Sequence, residues 1–159
     1  MGDNDGAVGG VERQIIAFTL SHEAFGIDIV QVQRIAPPET ITRVPRAPAF
    51  ISGITNLAGR IITLIDLAQI LQLGKDDEAG QQIIILNNED MNIGFITGQV
   101  TDVIMTDDES LNKEIVRIGA QEGNFVSAIL KTGDRIINVL NIEKLFDFMR
   151  KSFIDSRGK

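Results

Sequence analysis

The chain has no cysteine, no tryptophan and no tyrosine, and a single histidine. Without cysteine there are no disulfides and no thiolate metal centres. One histidine cannot assemble a zinc site, which needs several nitrogen or sulfur ligands. His22 sits in "SHEAFG", read as a hairpin turn, with no serine or carboxylate partner at the spacing of a nucleophile–base motif. It is taken as a solvated turn residue. No run approaches the roughly 18 apolar residues of a membrane-spanning helix. The acidic, Gly-rich start "MGDNDGAVGG" is the opposite of a signal peptide. The expectation is a cytoplasmic chain without direct membrane insertion. Positive charge is scarce as well: 15 Lys and Arg stand against 22 Asp and Glu, a net charge of −7. That argues against general nucleic-acid binding, which needs a basic surface to neutralise phosphates, though it leaves room for a local basic patch.

What remains is aliphatic. Hydrophobic residues make up 43% of the 159 positions, and the only aromatic side chains are eight phenylalanines. Ile and Val must fill the core, which favours strands. "QIIAFTL" is a β-branched run of strand length. "AFGIDIVQVQRI" alternates at Phe25, Ile27 and Ile29 and then at Val30 and Val32; the phase change predicts a bend or bulge. "FISGITNL" and "RIITLI" are two further strands, joined by Ala58 and Gly59 in a hairpin turn. In "DLAQILQL" the period changes, and Asp66 is placed to cap a short helix.

The chain then repeats itself. "FISGITNLAGRIITLIDLAQIL" (50–71) aligns without a gap to "FVSAILKTGDRIINVLNIEKLF" (125–146), with Phe50/Phe125, Ser52/Ser127, Ile54/Ile129, Arg60/Arg135, Ile61/Ile136 and Ile62/Ile137 identical at an offset of 75. Upstream, Gln14, Ile15, Ile16, Gly26, Gln31 and Val32 match Gln82, Ile83, Ile84, Gly94, Gln99 and Val100 at an offset of 68. One duplication of this length is not a solenoid, which repeats several shorter units. It predicts a mainly β fold of two similar barrels, about five short strands each, closed by short helices and packed over a shared apolar seam. The expected boundaries are one domain over 12–149, a first barrel half over 12–74 and a second over 80–149, with 1–10 and 150–159 as disordered tails. Phe50 and Phe125 are expected at equivalent buried sites, as are Ile62 and Ile137.

No catalytic constellation emerges. "KDDE" and "TDDES" lack the glycine and terminal glutamate of an EF-hand loop. Gly53 and Gly59 are not followed by the Gly-Lys-Ser/Thr of a phosphate-binding loop. Asp66 and Glu143 fall at helix starts, where capping and the helix dipole account for an acid. No cofactor and no metal is expected, and a binding module is the leading class. A small-molecule or oligonucleotide-binding β-barrel is the alternative; without Tyr or Trp it lacks the stacking platforms of single-strand binders.

The segments "FGIDIVQVQRI", "ITRVPRAPAFISGITNLAGRIITLIDL", "IGFITGQVTDVI" and "RIINVLNIEKLF" resemble the CheW family of chemotaxis adaptors, over about residues 14–146. The resemblance implies two five-stranded SH3-like barrels and a non-enzymatic adaptor. Such an adaptor couples the cytoplasmic tips of chemoreceptors to the regulatory domain of the histidine kinase CheA. The chain has no room for a kinase or receiver domain, so a stand-alone adaptor is the expectation. By the same resemblance Val32, Arg34, Asn56, Leu57, Ala58 and Gly59 are the partner-binding candidates. Val32 falls at a receptor-sensitive valine, and Asn56, Leu57 and Gly59 keep the family's "NLRG" frame. Val32 and Leu57 are equally readable as core, and Gly59 as a residue needed only for a positive φ. Two positions depart from the pattern: Arg34 replaces an acid and Ala58 replaces a base. Either these are exposed positions that have drifted, or they mark a changed partner.

Overall fold

The computed structural model describes residues 12–74, 80–88, 91–113 and 125–157, with side chains to 111 in the third of these stretches and to 152 in the last. The tail 1–10 and most of the acidic break near 74–81 lie outside the described residues. Among the described residues ten strands and three α-helices follow in order: β1 (Glu12–Leu20), β2 (Glu23–Asp28), β3 (Val32–Ala36), β4 (Ile51–Leu57), β5 (Arg60–Asp66), α1 (Leu67–Ile70), β6 (Gln82–Leu86), β7 (Ile93–Thr97), β8 (Val100–Asp107), α2 (Asp108–Lys113), β9 (Val126–Thr132), β10 (Arg135–Leu140) and α3 (Ile142–Arg157). The fold is mainly β, as expected.

The local signals act as read. Ser21 and His22 have φ of 51° and 69° and form the two-residue turn between β1 and β2, the geometry whose twist suits a hairpin. The Asp66 carboxylate accepts from the Gln69 amide at 3.2 Å and starts α1. Its repeat mate Asn141 does the same for Lys144 at 3.1 Å and starts α3. The bend in "AFGIDIVQVQRI" is a 3₁₀ turn at Ile29–Gln31, where the Asp28 side chain accepts from the Val30 amide.

That turn carries the chain from one sheet to another. The strands form two five-stranded sheets, ordered β8-β1-β2-β10-β9 and β3-β6-β7-β5-β4. The second, here the central sheet, is one continuous piece of chain from β3 to β7. The first, the terminal sheet, joins the two ends of the chain. The expected division into one barrel from 12–74 and another from 80–149 therefore does not hold. Each half contributes two strands to one sheet and three to the other. The duplication is nonetheless complete. Advancing every strand by five converts the central order into the terminal order, and the parallel pairs β5–β7 and β10–β2 are each other's mates.

Three apolar clusters result. Ile15, Ala17, Leu130, Ile137 and Val139 fill the terminal sheet's interior. Leu57, Ile62, Leu64, Ile83 and Ile85 fill the central one. The largest cluster is the seam between them, with Phe18, Ile27, Ile65, Phe95, Leu145 and Met149 fully buried. Ile62 and Ile137 occupy equivalent interior sites. Phe50 and Phe125 are equivalent in position: each carbonyl accepts a 2.7 Å bond, from Asp66 and Asn141 respectively. Each ring also packs on Phe148, at 5.7 and 5.6 Å. They differ in burial, since Phe50 is buried and Phe125 only half-buried.

The tail expected to be disordered over 150–159 is helical to Arg157. Ile142, Leu145, Phe146 and Met149 are buried at helical spacing and seat α3 in the seam, which stabilises the following turns.

Gly26 and Gly94 are repeat mates. A Cβ on Gly26 would stand 2.5 Å from Ile15 Cγ2, and one on Gly94 would stand 2.9 Å from Ile83 Cγ2. Both obstacles are branch methyls held close to a strand backbone. Gly26→Ala and Gly94→Ala are each expected to cost about 1–3 kcal/mol through overpacking, Gly26 more. Denaturant midpoints measure this; two unchanged midpoints would show that the strands have room to part.

Candidate partner-docking surface

The six candidate residues lie on β3 and on the hairpin between β4 and β5. Ala58 and Gly59, with φ of 53° and 81°, make the two-residue turn. Gly59 has open space where a side chain would go, so its role is the backbone conformation. Asn56 supports the same turn, its Oδ1 accepting from the Gly59 amide at 3.2 Å. Leu57 is buried in the central sheet's interior. Val32 is half-buried against the seam. Arg34 and Ala58 are exposed. The structure thus assigns a packing role to Leu57, a share of one to Val32, and a turn role to Asn56 and Gly59.

The residue that ties this surface together is one the sequence reading passed over. Arg60 donates from Nη1 to Gln33 Oε1 on β3 at 3.3 Å and from Nη2 to Asn92 Oδ1. It brings the far edge strand β3 to the hairpin, which the ladder order places at opposite ends of the sheet. The signal was present in the repeat, because Arg60 and Arg135 are identical there.

Exposed aliphatic residues flank these positions. Ile61 is 53% and Ile35 36% exposed. Their mates on the terminal sheet, Ile136 and Val103, are exposed as well. A second apolar feature is a groove of ≈310 Å³ where the seam reaches the surface, lined by Ala49, Phe50, Ile70, Leu71, Phe125 and Phe148. No cluster of three metal-ligating side chains occurs among the described residues, and none of their helices is long and apolar enough to cross a membrane. Exposed apolar area of this kind is what a protein partner can cover.

Comparison with known proteins finds relatives over most of the chain. The family model described as CheW-like domain matches residues 14–149. The chemotaxis protein CheW of Treponema pallidum (strain Nichols) is 32% identical over 148 residues, covering 88% of this chain and 85% of that protein. That of Thermotoga maritima is 27% identical over 136 residues, covering 86% and 89%. The crystal structure of the scaffolding protein TtCheW from Thermoanaerobacter tengcongensis matches with a TM-score of 0.74 at 32% identity, over 82% of this chain and 90% of that one. A duplicated pair of five-stranded sheets and a family match across nearly all of the described residues lead to one conclusion: the chain belongs to the CheW-like domain family.

Proposed function

We propose that this chain is a cytoplasmic adaptor that holds the regulatory domain of a CheA-type histidine kinase against the tips of methyl-accepting chemoreceptors. It is a chemotaxis scaffold of the CheW family, which is not a family of enzymes. The observation that carries the reading is the family match over residues 14–149. The surface supplies the means. The kinase domain docks on β3 and the β4–β5 hairpin, through Ile35 and Ile61 with Arg34 and the turn beside them. The receptor tip, a helical hairpin, lays an apolar stripe along the exposed seam between the sheets, in the manner of a helix in a groove. Val32 and Phe148 lie at that seam.

Titration calorimetry against the kinase regulatory domain from the same genome tests this. Binding with a dissociation constant on the order of micromolar, about −8 kcal/mol, is expected for a contact that must be made and remade. No heat at high concentration would remove the kinase from the proposal.

A further inference from the structure

The duplication provides an internal comparison at the surface. On the terminal sheet Arg135, the first residue of β10, reaches across to β8. Its Nη1 donates to Asp102 Oδ2 at 2.8 Å and its Nη2 to Asp102 Oδ1 at 3.1 Å, a bidentate fork-to-carboxylate pair. Nη2 also reaches Thr101 Oγ1 at 3.3 Å. Hydrogen bonds from Arg135 and then from the Thr101 hydroxyl hold the Asp102 carboxyl below its usual range.

The central sheet repeats the frame. Arg60 is the first residue of β5 and pairs across its hairpin with Leu57, as Arg135 pairs with Thr132. Gln33 and Thr101 are the extra residues at matching register shifts. Each touches its arginine at 3.3 Å. The next position is Asp102 on β8, opposite Ala17, and Arg34 on β3, opposite Ile85. Ala17 and Ile85 are themselves mates at the offset of 68. Where one sheet closes an ion pair, the other presents a second guanidinium. Among the described residues neither Arg34 nor Arg60 meets a carboxylate, and Arg60 spends its donors on two neutral amides.

We propose that Arg34 and Arg60 form a two-guanidinium seat for one carboxylate, an Asp or Glu side chain of a partner protein, which takes the place that Asp102 holds on the terminal sheet. The inference rests on the adaptor reading and names the chemistry of its kinase-side contact. Ile35 and Ile61, exposed and next in sequence to the two arginines, give the same strands apolar area that a partner around the seat would cover. A nucleic-acid phosphate is the poorer occupant. The chain carries a net charge of −7 and has no Tyr or Trp to stack bases.

The test is calorimetric binding of the cognate kinase regulatory domain, and separately of the receptor tip, to wild type, Arg34→Gln, Arg34→Glu and Arg60→Gln. In Arg34→Glu the new carboxylate pairs with Arg60 within the chain and fills the seat. The expected result is a loss of about tenfold in affinity for Arg34→Gln and Arg60→Gln and a larger loss for Arg34→Glu, against the same one partner. The melting temperature of Arg34→Glu should equal or exceed that of wild type, because a like-charged pair becomes an ion pair. Wild-type affinity should fall with added salt more steeply than that of Arg34→Gln. Wild type binding either partner while all three variants match it overturns the seat and leaves the adaptor reading standing. Wild type binding neither partner removes the adaptor reading and the seat with it. A lower melting temperature for Arg34→Glu shows that the two side chains do not share a site and overturns the proposal on geometry alone.

Discussion

Phe95→Ala is expected to lower the unfolding free energy by about 3–5 kcal/mol, the cost of emptying a fully packed aromatic site. Phe95 lies on β7 with no exposed surface and belongs to the seam rather than to either interior. The seam draws on both sheets: Phe18 and Ile27 from the terminal one, Ile65 and Ile84 from the central one, with Leu145 and Met149 of α3 laid across. A cavity there weakens both sheets at once. A domain of this size has a total stability of about 5–15 kcal/mol, so the loss is a large part of it. The melting temperature should fall by on the order of 10 °C, with one cooperative transition retained. Circular dichroism melts followed at two wavelengths would check this. A two-step melt, with one sheet surviving the other, would mean that the sheets are independent units that merely touch.

The duplication explains both what could be read from the sequence and what could not. Asp66, the Ala58–Gly59 turn and the break near Ile29 are local features, set by capping, by φ and by a change of period, and each appears where it was expected. Which sheet a strand joins is not a local feature. β3 and β8 are repeat mates with matching patterns of exposure, so alternation gives β1 no reason to pair with β8 instead of β3. The 3₁₀ turn after Asp28 decides it by directing the chain across the seam, and its effect on direction is not written in hydrophobicity. The length of α3 was hidden for a different reason. Asp147, Arg150 and Lys151 interrupt the apolar run by eye, yet Leu145 and Met149 continue it at helical spacing on the buried face. At the candidate docking surface the sequence singled out Arg34 but set it beside Ala58. The side chain that reaches β3 is that of Arg60, two residues further on, and only the contact with Gln33 shows it.

Gly53→Ala is expected to cost about 3 kcal/mol or more, while the mirrored change Ala128→Gly costs on the order of 1 kcal/mol. The two positions are repeat mates, each following a bulged serine, Ser52 or Ser127, at the register shift of β4 or β9. They are not equivalent in space. Gly53 has φ of 150°, where an L side chain is strained. A Cβ there would stand 2.4 Å from the Thr42 carbonyl oxygen. That oxygen cannot yield cheaply, because it accepts from the Ile54 amide at 2.8 Å while the Thr42 amide donates to the Ile54 carbonyl at 2.8 Å. Together with the Thr55 hydroxyl bond to the Thr40 carbonyl, this pair fastens the 40–42 segment along the outer edge of β4. It satisfies backbone groups that an edge strand would otherwise leave open. Alanine at 53 must either push the segment off or bend β4. Ala128, by contrast, is buried in the terminal interior with its methyl group in contact, and removing it loses only that contact and some chain stiffness. Denaturant titration of both variants measures the asymmetry, and hydrogen exchange at the Thr42 and Ile54 amides locates it. Equal costs at the two sites, or full protection of both amides in Gly53→Ala, would show that the segment is not what fixes glycine at this position.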